Sequence, residues 1–267
     1  MSVETALPEI KVVEPIIATR FALIVEYDGT NYFGSQLQAN RPTIQSELEK
    51  ALEKLTGEHL RIGMASRTDT GVHARGQVVS FKTTSTIPTE AYVHGLNHYL
   101  PDDIAVQSAY KTTPDFNARR MATSRVYDYT ILNSSTRSPL SARFAYRVPG
   151  KLDITAMNQA CQKLIGTHDF ASFASDIGED AGKSTIRRIE EASVRSDHEL
   201  IIFTIKANAF LRHQVRNTAG ALMQVGLGKL SYNEFDLLLE SRKPGLAGPS
   251  LPAHGLCLMQ VNYPPSN

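Results

Sequence analysis

The chain has 267 residues, of which 42 % are hydrophobic and 21 % charged, with a net charge of +1. That is ordinary globular composition, long enough for one large domain or two ordinary ones. The near-zero balance argues against a uniformly basic nucleic-acid binder, and no apolar run approaches the roughly 18 residues of a membrane span.

Two cysteines, Cys161 and Cys257, both in apolar-patterned segments, read as buried thiols rather than a disulfide framework, which suits a reducing cytoplasm. Charge is unevenly spread. Residues 1–60 hold nine acids against five bases, whereas 111–150 hold Lys111, Arg119, Arg120, Arg125, Arg137, Arg143 and Arg147 against Asp115 and Asp128. Lys206, Arg212, Arg216 and Lys229 form a further stretch without acids. Any anionic partner is expected against these stretches.

Residues 1–19 lack a basic segment followed by an apolar one and read as a poorly ordered extension. Phe21–Tyr27 is apolar and β-branched, a buried strand ending at the turn Asp28-Gly29-Thr30. Pro42 opens a helix whose apolar face is Ile44, Leu48, Leu52 and Leu55, closed by Gly57. His59–Ala65 and Val78–Phe81 alternate as strands, Thr89–His98 follows Pro88 as a helix, and Ile104–Tyr110 makes a fourth strand. This β-α-β-β-α-β order is the ferredoxin-like arrangement. The second half repeats it: a strand at Ser124–Leu132, a helix at Ile154–Ile165, strands at Thr185–Arg195 and Leu200–Lys206, a long helix at Ala209–Val225 and a last strand at Leu256–Asn262. An added helix, Asn233–Glu240, precedes the Pro/Gly-rich connection Lys243–Pro252. The expected fold is α+β, with two ferredoxin-like (βαββαβ) halves, 20–115 and 116–267, forming a continuous mixed or antiparallel sheet with a central cleft, a preferred place for ligands.

The loop Ser66-Arg67-Thr68-Asp69-Thr70-Gly71-Val72-His73-Ala74-Arg75-Gly76-Gln77 lies between two expected strands of the first half, where a rigid scaffold and loop chemistry meet. Asp69 stands between Arg67 and Arg75 in sequence, a setting that favours the carboxylate anion, and the glycines permit close approaches. A carboxylate with open space beside it is a candidate nucleophile; the competing reading is an Asp that hydrogen-bonds its own turn. Asp69-Thr70-Gly71 also spells an aspartic-protease tripeptide, but there is no second copy to share the proton. Asp69 and His73 lack further ligands to complete a metal site, and the remaining histidines have no ligand spacing.

In Arg119-Arg120-Met121-Ala122-Thr123-Ser124-Arg125-Val126-Tyr127-Asp128-Tyr129, the period of two puts Arg125, Tyr127 and Tyr129 on one strand face. Arginine for phosphate and phenol rings for stacking suit a flipped base, although both tyrosines fit a core equally well. Arg212 and Arg216 share a face near the start of the long helix, against its dipole. They call for an anionic partner, either a phosphate or Asp69, unless the face is simply solvated.

The Asp69 loop resembles the active-site loop of the TruA family of tRNA pseudouridine synthases, Gly-Arg-Thr-Asp, a small residue, Gly-Val-His-Ala, then Gly-Gln. The chain differs only in Ser66 for the first Gly. Similar pieces are Tyr27-Asp28-Gly29-Thr30, Gln36-Leu37-Gln38 with Thr43-Ile44-Gln45, Asp115-Phe116-Asn117-Ala118-Arg119, Arg125-Val126-Tyr127, Asp169-Phe170-Ala171-Ser172-Phe173, Val215-Arg216-Asn217 and Gly255-Leu256. Gln214 stands where the family has Met, and Ser35 where it commonly has an aromatic, so no stacking role is carried to position 35. The resemblance implies Asp69 as nucleophile, Arg67 and Arg216 beside it, and Tyr127 as active-site tyrosine. For RNA contacts the candidates are Arg75, Gln77, Arg119, Arg120, Arg125, Tyr129 and Arg212. It implies a homodimer acting on uridines of the tRNA anticodon stem-loop, and no metal, nucleotide or redox cofactor is expected, because the chain has no Gly-x-Gly-x-x-Gly in the right context and no P-loop. The nucleophile attacks C1′ or C6; the residues do not choose between them. The rivals are a catalytically silent RNA-binding protein on the same scaffold and a small-molecule hydrolase using Asp69 and His73.

Overall fold

The computed structural model describes residues 18–175 and 184–265. The first half runs β1 (Thr19–Tyr27), α1 (Ile44–Thr56), β2 (Gly63–Met64), β3 (His73–Thr83), α2 (Thr89–Tyr99) and β4 (Ile104–Lys111). The second runs β5 (Ser124–Leu132), β6 (Tyr146–Arg147), α3 (Ile154–Leu164), β7 (Gly166–Asp169), β8 (Ile186–Asp197), β9 (Leu200–Ala207), α4 (Gln214–Gly226), α5 (Tyr232–Ser241) and β10 (Leu256–Asn262). The fold is α+β. One open mixed sheet follows the order β4-β1-β3-β10-β5-β9-β8-β7, with β2 on β3 and β6 on β5. Both halves therefore use the ferredoxin-like strand order, and the chain's last strand joins them. β10 lies parallel to β3 through Cys257 and Leu258, and antiparallel to β5.

The period of two decides which face is buried. Phe21, Leu23, Val25 and Tyr27 of β1, and Ile201, Phe203, Ile205 and Ala207 of β9, are sealed inside, while Glu26 and Lys206 turn to the other face. Helix α1 starts with a Thr43/Ser46 capping box and ends at Gly57 with φ 75°. Its buried Ile44, Leu48 and Leu52 each contribute about 1.5–3 kcal/mol through loss of apolar surface from water.

Several elements depart from the sequence reading. The strand expected over His59–Ala65 shrinks to Gly63–Met64, because Arg61 and Ile62 are held by Glu49 of α1 rather than by a neighbouring strand. Gly166–Asp169, which follows the expected helix and lies outside every expected element, is a short edge strand on β8. The long helix starts at Gln214, five residues later than expected, because His213 takes left-handed backbone (φ 61°). Arg212 thus precedes the helix. The expected extension falls outside the described residues except for Ala18 and Thr19, and Thr19 already belongs to β1. Among the described residues no helix is long and apolar enough to cross a membrane.

Candidate active site

The Asp69 loop is anchored on both sides. Gln77, fully buried, accepts from Ser66 N–H (3.1 Å) and donates to Ser66 carbonyl (2.8 Å) and to Tyr27 hydroxyl (3.3 Å). Ser35 Oγ accepts from Thr68 N–H at 2.8 Å, and Ser35 N–H donates to Thr68 carbonyl at 3.0 Å. Ser35, where an aromatic is common in the family it resembles, is thus a buried backbone clamp. Thr68 Oγ1 meets the Tyr27 hydroxyl at 2.9 Å. Two glycines permit this closeness: a Cβ on Gly29 would lie 2.0 Å from Val72 carbonyl oxygen, and one on Gly34 (φ 85°) 2.7 Å from that of Thr68.

His73 fixes the far end. Gly29 N–H donates to Nδ1 (3.1 Å), which leaves the proton on Nε2 for His254 carbonyl (3.2 Å). Burial holds its pKa below the ordinary value even though Asp28 lies nearby. His73 therefore joins the turn after β1 to the turn that leads into β10, the strand between the two halves.

From this anchored loop Asp69 projects, 36 % exposed, toward the start of α4. Arg216 Nη1 lies 3.2 Å from its Oδ2, while Arg216 Nε donates to Leu251 carbonyl at 2.7 Å. A guanidinium in the first turn of a helix opposes the dipole, and this carboxylate, 147 residues away in sequence, offsets it. His213 Nε2 is 3.4 Å from the same oxygen. Tyr127 lies close by with its ring edge-on to Phe210, centroids 5.3 Å apart. Burial pushes its phenol up to about 12; Ser66 hydroxyl and Arg125 pull the other way, and Asp69's negative charge adds to the rise. The ground-state residue is a neutral phenol, not a phenolate.

The remaining candidates differ in exposure. Arg67, Arg119, Arg120 and Arg212 are exposed. Arg75 is not a companion of Asp69: a bulge in β3 between Ala74 and Gln77 turns it to the opposite sheet face, where it lines a 790 Å³ cavity with Glu26, Asp128 and Arg195. Arg125 is not presented to a phosphate. Its guanidinium donates to the carbonyls of Ala65 (3.4 Å), Arg119 (2.9 Å), Ala122 (3.1 Å) and Asn208 (2.8 Å), tying the Asp69 loop to the second half. Tyr129 is fully buried and donates to Pro252 carbonyl at 2.9 Å, so no ring face is open to a base. Gln77, the loop clamp, is equally closed to RNA. His213 was not singled out by any motif; its only signal is its place three residues before Arg216.

A carboxylate from one ferredoxin-like half thus meets an arginine from the other, and a sequence profile described as tRNA pseudouridine synthase matches residues 23–119 and 160–264. The chain belongs to the tRNA pseudouridine synthase family, and it is an isomerase. It is 45 % identical to tRNA pseudouridine synthase A of Pelobacter propionicus over 90 % of this chain and 98 % of that protein. Similarity to the proteins of that name from Caldicellulosiruptor bescii (44 %) and Geobacter sulfurreducens (43 %) likewise covers 90 % of this chain and 98 % of each relative.

Proposed function

We propose that this protein converts uridine to pseudouridine in the anticodon stem-loop of tRNA through a transient covalent bond to Asp69. The reaction breaks C1′–N1 and forms C1′–C5; overall a proton leaves C5 and one is gained at N1, with no redox change. The observation that carries the reading is the half-exposed Asp69 carboxylate, offered by a loop anchored on Tyr27, Ser35 and Gln77 and held by Arg216. A flipped nucleotide fits this arrangement: the carboxylate takes C1′ or C6, Tyr127 lies against the base, and Arg67 meets the backbone phosphate. Tyr127 begins as a neutral phenol, so any service as base for the C5 proton requires it first to lose its own. Arg119, Arg120 and Arg212 extend the basic surface for the RNA backbone, and a homodimer lets one tRNA span two subunits.

Asp69→Asn tests this. Binding rests on many phosphate contacts, so tRNA affinity should stay within a few fold (~3-fold), while tritium release from C5-labelled tRNA disappears. Residual turnover above about 1 % of wild type rejects the nucleophile.

A further inference from the structure

We propose that His213 is a positioning residue for Asp69: a neutral imidazole whose Nε2 edge lies against Oδ2, so that the other oxygen, Oδ1, forms the bond to substrate. The inference rests on the reading of Asp69 as nucleophile. Its basis is a hydrogen-bond chain that ends beside the Asp69 carboxylate. Asn217, buried, places Nδ2 2.7 Å from Phe173 carbonyl, which only accepts, so the orientation of the amide is fixed. Its Oδ1 then accepts from Ser250 hydroxyl, and its Nδ2 also donates to Ser175 Oγ at 3.1 Å. Ser175 has its own proton left to give. His213 Nδ1 lies 2.8 Å away and Ser250 Oγ 3.3 Å; a proton on Nδ1 would turn the bare lone pair of Nε2 onto the Asp69 carboxylate, so Ser175 donates to Nδ1. Nδ1 thus accepts, and the imidazole proton sits on Nε2, which is 3.4 Å from Asp69 Oδ2.

Arg216 Nη1 approaches that same oxygen at 3.2 Å. Among the described residues both close polar contacts of the carboxylate fall on Oδ2 and none on Oδ1. A guanidinium hydrogen bond and an imidazole contact on one oxygen restrict the carboxylate's rotation and leave the second oxygen for chemistry. The backbone is built for this placement. His213 is one of four described non-glycine residues with positive φ, a conformation that Asn, Asp and His tolerate better than most. It turns the chain into α4 and brings Nε2 across the cleft. The groups facing the imidazole are Asp69, Arg216, Arg212 and Ser175. Burial and the two arginines keep it neutral against the pull of Asp69. Protonation adds a full positive charge beside the nucleophile, stabilises the anion and slows its attack, so activity should decline on the acid side.

The test compares His213→Asn and His213→Gly with wild type in C5-tritium release, using full-length protein and tRNA. Asn suits the left-handed backbone but cannot reach Oδ2; Gly leaves a space open to added imidazole. Both variants should lose about 10- to 100-fold in kcat, the scale of a misplaced reacting group, with KM for tRNA nearly unchanged. Imidazole should restore His213→Gly, and the acid limb of the wild-type kcat profile should vanish in His213→Asn. Wild-type kcat and pH profile in His213→Asn overturn the proposal. So does a loss in His213→Gly that imidazole does not relieve, in protein that melts at the wild-type temperature. Asp69→Asn, inactive with or without imidazole, separates this failure from that of the nucleophile reading: an active Asp69→Asn removes the premise, whereas an inactive one beside a normal His213→Asn removes only the role of His213.

Discussion

Two tyrosines two residues apart on β5 illustrate how little distance separates chemistry from scaffold. Tyr127 is 7 % exposed and sits against Asp69's field; Tyr129 is closed off entirely with its hydroxyl on Pro252 carbonyl. Removing each hydroxyl should therefore fail differently. Tyr127→Phe is expected to lower kcat by about 100-fold or more, the scale of a lost proton-transfer group, with melting temperature nearly unchanged. Tyr129→Phe orphans a buried carbonyl and should cost about 1–3 kcal/mol of stability, with kcat per folded molecule close to wild type. Paired kinetics and thermal melts read both, and equal kinetic defects would mean the two phenols share one role. The period of two placed both rings on one face but could not show which one lines the cleft. That depends on Phe210 and Pro252, which lie more than 80 residues downstream and approach only in the folded chain. The same applies to charge. Arg75 neighbours Asp69 in sequence and faces away from it, whereas Arg216, 147 residues distant, pairs with it. Its partnership followed from dipole reasoning and family resemblance, not from local spacing.

At the level of elements, the parts read correctly were those with a strong local signal: α1 with its cap and Gly57, β5 with its alternation, and β10. The parts misread had weak ones. Gly166-Thr167-His168-Asp169 is an edge strand without apolar alternation, and the residue before α4, His213, gives it no side-chain cap. The contacts between elements were the least legible, because glycine and arginine carry them through backbone atoms. Gly29→Ala would push a methyl group to within 2.0 Å of Val72 carbonyl oxygen, so β1 and the Asp69 loop must separate. The loss should exceed about 2 kcal/mol and extend to turnover, since the carboxylate moves with the loop. Arg125→Met keeps the apolar stem but leaves four carbonyl contacts unmade. Charged donors contribute about 1.5–3 kcal/mol each, so a loss of at least about 3 kcal/mol is expected, which is roughly 6–12 °C in melting temperature. A melt within a degree or so of wild type (~1 °C) would return Arg125 to the RNA surface.

For the molecule as a whole, the joint between halves relies on uncharged histidine. His73 and His254, which share a hydrogen bond across the β3–β10 seam, and His213 at the cleft all have pKa values held below the ordinary 6.5, with burial as the main cause in each. The unfolded chain binds protons at these sites from about pH 6.5 downward, while the folded chain resists them. Stability from this source is therefore complete above pH 6.5 and is lost as pH falls through the lower folded values. Asp28, whose carboxyl is also lowered, works in the same direction but only below its ordinary value of 3.8, so the interval between belongs to the histidines. Melting temperature should drop between about pH 7.5 and pH 5.5. His73→Asn makes the interval diagnostic: its amide oxygen can still accept Gly29 N–H, but it has no titrating group. It should be less stable than wild type at about pH 7.5, having lost the His254 bond, yet show a smaller drop toward pH 5.5. Melts at the two pH values, with and without this substitution, decide the matter. An unchanged drop would place the acid sensitivity elsewhere than at the seam where the two halves meet.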